Sequence, residues 1–118
     1  MGSDIAALNY AATLHELERY VEVKTLLRKI IPVARRVLGE SHQDTLKMRW
    51  NYARALAADP GSTLDNIREA MTTLEDIERI ARRVLGGAHP ITTGIERSLS
   101  LLQATFRVCE TPPPPGSA

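Results

Sequence analysis

The nine residues ARRVLGESH (34–42) recur in nearly the same form as ARRVLGGAH (81–89), 47 positions later in the chain. Each copy has a pair of arginines before a glycine, and a histidine three positions after it. A glycine at this place fits the left-handed residue that ends many helices, and the arginines then face the negative end of the helix dipole. We therefore interpret each copy, named here the turn phrase, as a helix end, a tight turn and a helix start.

The repeat extends upstream of the turn phrase. Apolar residues before each glycine follow one another in steps of three and four, which is the spacing of one helix face. A whole helix is therefore written twice, at an offset of 47 residues. The paired positions are Tyr20 and Ile67, Val23 and Ala70, Leu27 and Leu74, Ile30 and Ile77, Ala34 and Ala81, and Val37 and Val84.

A second pair of similar segments precedes these helices. NYAATL (9–14) recurs as NYARAL (51–56), at an offset of 42 residues, and the difference between the two offsets lies in AADPGST (57–63). The residues Asp-Pro-Gly in that stretch are typical of a turn. We interpret residues 57–63 as a loop insertion between two helices.

Caps for three helices can be predicted from the residues at these turns. Ser41, with an acidic residue three positions later, is expected to cap one helix, and Ser62 begins a similar capping box. Pro90 fits the first turn of the last helix, where no backbone N–H is missed. The predicted helices span residues 4–18, 20–38, 42–58, 63–85 and 90–109.

Composition favours an all-α protein. Apolar residues make up 43% and charged residues 25% of the 118 residues, as in one globular domain, and only 4% are aromatic, so small aliphatic side chains must fill the core. The formal net charge of +1 gives no overall field that would attract nucleic acid or anionic lipid. One cysteine, Cys109, and the lack of a long apolar run or signal-peptide pattern indicate a cytoplasmic protein without membrane contact.

Helix pairs at a fixed period of 42 residues indicate an α-solenoid. NYAATLHELERYVEVKTLLRKI and NYARAL…NIREAMTTLEDI resemble tetratricopeptide repeats, and RRVLGESHQDTL and RRVLGGAHPITT resemble the 42-residue subtype found in kinesin light chains. The resemblance implies a short right-handed α-solenoid of five helices, about two and a half antiparallel helix-turn-helix repeats. Its parts are repeat 1 at about 4–39, repeat 2 at about 42–86 and a capping helix at about 90–109, with a cloning remnant or disordered start at 1–3 and a Pro-rich disordered tail at 110–118.

Three features depart from the family pattern. Glu18 replaces the usual glycine of the first turn, Pro32 lies inside a helix that it is expected to kink, and residues 57–63 reshape one loop. The packing positions otherwise carry over. They are Tyr10 with Ala11, Tyr52 with Ala53, Leu99 with Ser100, Leu14, Leu56, Val23 with Leu27, and Ala70 with Leu74.

The resemblance implies that the chain binds a protein or peptide partner and needs no cofactor. In this family the first helices line a concave groove, and an asparagine near the middle of that helix holds the backbone of a partner peptide. Basic neighbours would attract an acidic peptide, and the only tryptophan could anchor it. The predicted peptide-binding residues are Asn9, Lys47, Trp50, Asn51, Arg54, Arg97 and Ser98. The alternative is an ordinary solvated face, with the tryptophan packed against the 57–63 loop.

The sequence contains no pattern that indicates catalysis or a metal site. His15, His42, His89 and Cys109 lack metal-ligand spacing, and two of the histidines belong to the turn phrase, where a capping or packing role is expected. There is no nucleophile elbow, phosphate-binding glycine loop or dinucleotide fingerprint. We therefore expect that the protein is not an enzyme.

Two further classes of function stay open. Arginine and lysine residues on the second helices could contact nucleic acid, although neighbouring acids dilute them and no aromatic platform is present. Self-assembly is the stronger alternative, because a short solenoid leaves apolar edges that a second chain could cover, with exchange through the 57–63 loop as one route. The basic residues concerned are Arg28, Lys29, Arg35, Arg36, Arg79, Arg82 and Arg83.

Overall fold

The computed structural model describes the backbone of residues 2–110 and the side chains of residues 19–107. Over this range the chain is all helical, as the composition predicts, and no strand occurs within it. Each helix packs on the one before it, and the second also contacts the fourth. The four helices are α1 (Gly2–Val37), α2 (Gln43–Ala58), α3 (Leu64–Val84) and α4 (Pro90–Glu110). The proline run of the tail lies outside the described residues.

One long helix stands where two were predicted. α1 continues without a break through Glu18 and Arg19, where the repeat pattern requires a turn, and also through Pro32. The residues around this position, HELERYVE (15–22), include no glycine, proline or asparagine, and most of them favour helix. The described chain therefore has four helices instead of five, because nothing local stops α1.

Both turn phrases end their helices with a left-handed glycine. Gly39 and Gly86 each have φ +95°, and they are the positive-φ residues of the described backbone. The N–H of Gly39 donates to the carbonyl of Ala34 at 3.2 Å, and that of Gly86 donates to the carbonyl of Arg82 at 3.2 Å. The predicted helix ends are confirmed, and their cause is the same in both copies.

The histidine of each turn phrase caps the helix that follows. Nδ1 of His42 accepts a hydrogen bond from the backbone N–H of Asp44 at 3.0 Å, and Nδ1 of His89 accepts one from Ile91 at 3.1 Å. The expected capping role of these histidines is confirmed. The prediction of Ser41 as the cap of α2 is wrong, because His42 occupies the N-cap position with extended backbone.

The turn between α2 and α3 is built from polar residues of the predicted insertion. Oδ1 of Asp59 accepts a hydrogen bond from the N–H of Gly61 at 2.8 Å, which confirms the turn. Thr63 and Asn66 form a reciprocal capping box at the start of α3. The cap lies one residue after the predicted Ser62, whose hydroxyl donates instead to a backbone carbonyl of α2.

The hydrophobic core is formed by α2, α3 and α4. α3 contributes the largest share, including Leu74 and Ile77, and α2 and α4 cover it from two sides. α1 contributes only Ala34 to the fully buried apolar residues of the described chain, so its described half lies at the edge of the core. The core residues are Leu46, Ala53, Leu56, Ala70, Leu74, Ile77, Ile80, Ala81, Ile91, Ile95 and Leu102.

Two ion pairs connect α2, or the turn after it, to a neighbouring helix. Nη2 of Arg49, a buried residue, donates to Oδ2 of Asp76 at 2.8 Å and links α2 to α3. Nζ of Lys24 lies 2.6 Å from Oδ2 of Asp59 and links α1 to the α2–α3 turn. The hydrogen bond from Arg49 lowers the pKa of Asp76, against the opposite effect of burial, and the one from Lys24 lowers the pKa of Asp59.

The left-handed glycines lead to a first prediction. Gly86→Ala should destabilise the protein by about 1 kcal/mol, because an L residue is strained at this φ. Gly87→Ala is the matched control, since a Cβ meets no atom within 4 Å at either position and Gly87 has no positive φ. Thermal unfolding followed by circular dichroism measures both. Equal melting temperatures for the two variants would contradict the assigned role of Gly86.

The Arg49–Asp76 pair leads to a prediction about pH. The pKa of Asp76 in the folded chain lies below its ordinary value, so the pair stabilises the fold at pH values above that ordinary value, and this contribution is lost as the pH falls through the folded pKa. Asp76→Asn should therefore lower the urea midpoint at pH 7, and the difference from wild type should shrink at pH 3. Asp65→Asn, at an exposed carboxyl, should leave the pH 7 midpoint nearly unchanged. An equal effect of Asp76→Asn at both pH values would contradict the ion-pair account.

Candidate functional site

A groove with a volume of about 870 Å³ lies between α1, α2 and α4. Side chains at the bottom of the groove come from α3, including Leu74. Its walls are residues 19–27 of α1, the last two turns of α2 and the middle of α4. Most of the lining is apolar. The lining residues are Arg19, Tyr20, Val23, Leu26, Leu27, Asn51, Ala53, Arg54, Ala55, Ala57, Ala58, Ile67, Leu74, Ser98, Leu101, Leu102 and Thr105.

Three large apolar side chains of the groove are exposed to solvent. The exposed fraction is 39% for Val23, 56% for Leu26 and 72% for Leu101. They come from α1 and α4, on either side of the groove, so they form one apolar surface instead of scattered single residues. An exposed apolar patch of this kind marks a binding surface in many soluble proteins.

The charged residues that line the groove are both arginines. Arg19 lies on α1 and Arg54 on α2, and no acidic residue belongs to the described lining. The guanidinium of Arg54 lies 5.8 Å from the centre of the Trp50 ring, which holds it beside the groove. The polar lining residues Asn51 and Ser98 complete an edge that can donate hydrogen bonds to a carboxylate or a peptide carbonyl.

Trp50 is half-buried and packs between α2 and α4. Its Nε1–H donates to Oγ of Ser98 at 3.0 Å. Its ring lies against Gly94, where an added Cβ would come within 2.5 Å of the ring. The indole therefore holds the two helices that carry Asn51 and Ser98 at a fixed spacing. The alternative from the sequence places Trp50 against the 57–63 loop, whereas the contacts described here are with α4.

The predicted peptide-binding residues fall into three groups. Asn51, Arg54 and Ser98 line the groove together, but its α1 wall comes mostly from the predicted second helix at 20–38 and not from the first helix at 4–18. Lys47 and Arg97, which are exposed on α2 and α4, lie outside the lining, and so does Trp50, which packs against α4. The side chain of Asn9 lies outside the described residues.

Sequence reasoning missed the α1 part of the apolar side of the groove. The sequence places Leu101 on the groove face of the last helix, but it predicts packing within a repeat for Val23 and Leu27 and gives Leu26 no signal beyond being apolar. The continuous α1 leaves these residues along the groove instead. The spacing of apolar residues identifies one apolar face of the helix, named here its stripe. The exposure of that stripe depends on whether the chain turns at residue 19.

Several of the basic residues that could contact nucleic acid are paired with carboxylates. Arg35 binds Glu40, Arg82 binds Glu78 and Glu96, and Arg79 binds Asp76 at 3.1 Å. Each pair offsets positive charge on the faces of α1 and α3. Surface pairs of this kind contribute little to stability, but they lower the local potential that a phosphate backbone would meet.

Among the described residues, no group of three or more histidine, cysteine, aspartate or glutamate side chains is arranged to hold a metal ion. None of the described helices has an apolar stretch long enough to cross a bilayer. Comparison of the chain with protein-family models, with curated proteins and with solved structures gives no match.

The contact between Trp50 and Gly94 leads to a prediction for the site. Gly94→Ala should displace the indole and cost roughly 1–3 kcal/mol from overpacking, which exceeds the gain in helix propensity. Because Trp50 is the only tryptophan, its fluorescence emission should shift to longer wavelength. Ser100→Ala, at an exposed position of α4, is the control. A stabilised Gly94→Ala protein with unchanged emission would contradict this packing.

Proposed function

We propose that this chain is a protein-interaction module whose groove binds a peptide segment of a partner. The observation that carries the proposal is the apolar groove between α1, α2 and α4, with Val23, Leu26 and Leu101 exposed along it. Apolar side chains of a partner segment would be buried there at about 25 cal/mol for each Å² removed from water. Groove binding of a segment with regularly spaced apolar residues is a common mode of peptide recognition.

The charge of the groove favours an acidic partner segment. Arg19 and Arg54 are the charged residues of the described lining, and both are positive. Arg54 can donate two parallel hydrogen bonds to one carboxylate, while Asn51 can bond a peptide group. The proposed ligand is therefore a segment with apolar residues on one face and at least one carboxylate near Arg54.

A tetratricopeptide-like solenoid is the architecture that we propose for this module. It is supported by the repeated turn phrase, which builds the same glycine end and histidine cap at residues 39–42 and 86–89. The packing of each helix on the one before it also agrees with such a stack. A role without catalysis and a location in the cytoplasm, where the single Cys109 would stay reduced, belong to the same proposal.

A displayed library of random peptides, selected on the full chain, tests this function. Peptides recovered from the selection would be labelled and titrated by fluorescence anisotropy. Leu26→Asp should weaken their binding at least tenfold, because it places a charge in the apolar wall. Val33→Asp is the matched control, since Val33 is a similarly exposed apolar residue of α1 outside the groove. Equal affinities for the two variants would contradict the proposed site.

The acidic preference is tested separately. Arg54→Glu should weaken the binding of acidic peptides severalfold and remove much of the dependence of their affinity on salt concentration. Arg97→Glu, which changes an exposed arginine of α4 outside the lining, is the control. Titrations at low and high salt measure both effects. A salt dependence that Arg97→Glu removes and Arg54→Glu does not would move the site away from the groove.

A further inference from the structure

The two copies of the repeated helix differ in how well their apolar stripe is covered. Ala70 and Leu74 on α3 are 0% and 2% exposed. Their counterparts 47 positions earlier are Val23, which is 39% exposed, and Leu27, which is half-buried and lines the groove. The same pattern is therefore buried in one copy and left open in the other.

The stripe of α3 is covered from two sides. α2, which carries NYARAL (51–56), packs on one side, and α4 packs on the other. The stripe of α1 contacts α2 alone among the described helices. The counterpart of NYARAL is NYAATL (9–14), so the segment missing from the stripe of α1 is the one that contains residues 9–14.

The two residues that form one hydrogen bond between α2 and α3 also have counterparts earlier in the sequence. Tyr52 on α2 donates its hydroxyl proton to Oε2 of Glu69 on α3 at 3.1 Å. The counterparts are Tyr10 in the first segment and Glu22 in the repeated helix, which are again a tyrosine and a glutamate. Glu22 is exposed. The sequence therefore supplies both partners for a contact between residues 9–14 and the stripe of α1.

A continuous α1 cannot make this contact within one chain. Residues 9–14 and 20–27 lie one after the other along the same helix, with Tyr10 and Glu22 about 18 Å apart along the axis at 1.5 Å per residue. Two α1 helices in antiparallel orientation bring residue 10 of each beside residue 22 of the other. The two contacts are then related by a two-fold axis near residue 16, which closes the assembly as a dimer.

Charge favours the same arrangement. Residues 4–17 contain Asp4 and Glu16, and they contain no lysine or arginine. The charged residues of the described groove lining are Arg19 and Arg54. An acidic segment with apolar residues at helical spacing is the ligand that the groove chemistry favours, and the chain carries such a segment itself.

We infer that the groove binds residues 4–17 of a second copy of this chain, in a reciprocal dimer in which each first segment completes the other copy's helix pair. The inference rests on the proposed function, because it names the partner of the same groove. The exchange occurs at residues 18–19 of α1. The 57–63 turn is not the exchange point, since α2 packs on α3 of the same chain across it.

Light scattering coupled to size exclusion tests the dimer with the full chain over a tenfold range of concentration. Wild type should have the mass of two chains. Leu26→Asp should weaken dimerisation at least tenfold and give single chains at the lower concentrations, whereas Val33→Asp should remain a dimer. Circular dichroism should show the same helical content for both variants.

A second pair of variants tests the segment that is bound. Leu14 is the counterpart of Leu56, which is 0% exposed. Leu14→Asp should therefore also weaken dimerisation at least tenfold. Ala12 is the counterpart of Arg54, and Arg54 is exposed. Ala12→Asp adds the same charge as Leu14→Asp but should leave the dimer intact. Agreement between the groove variant and the segment variant supports the exchange.

Two results would overturn the inference. One is a single-chain mass for wild type at every concentration, and the other is a dimer that neither Leu26→Asp nor Leu14→Asp weakens. If a single-chain wild type still binds library peptides in a way that depends on Leu26, the proposed function stands and only the identity of the partner falls. Loss of both the dimer and the Leu26-dependent peptide binding would remove the proposed function as well.

Discussion

The apolar stripe of α3 is the surface on which the rest of the fold depends. Leu74 and Ile77 are buried because α2 and α4 cover them from two sides, and most of the core consists of these three helices. α1 repeats the stripe and receives α2 on one side only among the described helices. The apolar stripe of α3 is thus covered by helices on two sides, whereas the stripe of α1 is covered on one side only among the described helices. The groove is the space beside the uncovered side of α1.

Much of this fold could be predicted from the turn phrase. Glycine and histidine at fixed spacing end one helix and start the next, so the bounds around residues 39–42 and 86–89 follow from local chemistry. The identity of the first cap was missed because serine is the commoner N-cap residue. The turn expected near Glu18 came from the repeat alone, whereas the residues there favour helix, and the local preference prevails in α1.

The polar side of the groove could also be predicted, since Asn51, Arg54 and Ser98 occupy related positions on α2 and α4. The apolar side could not. Val23 and Leu26 belong to a pattern that fits a covered stripe as well as an open one, and the difference depends on a conformational choice near residue 18. Burial is a property of the assembled helices, so spacing along one of them cannot determine it.

Cross-linking between two single-cysteine chains tests the central claim most directly. One chain would carry Tyr10→Cys and Cys109→Ser, and the other Glu22→Cys and Cys109→Ser, with a tag that separates their masses. A short bismaleimide should join the two different chains, and a Val33→Cys chain in place of the second should react much less. Efficient joining would place residues 9–14 of one copy beside the α1 stripe of another. No joining above the Val33→Cys level would contradict the account.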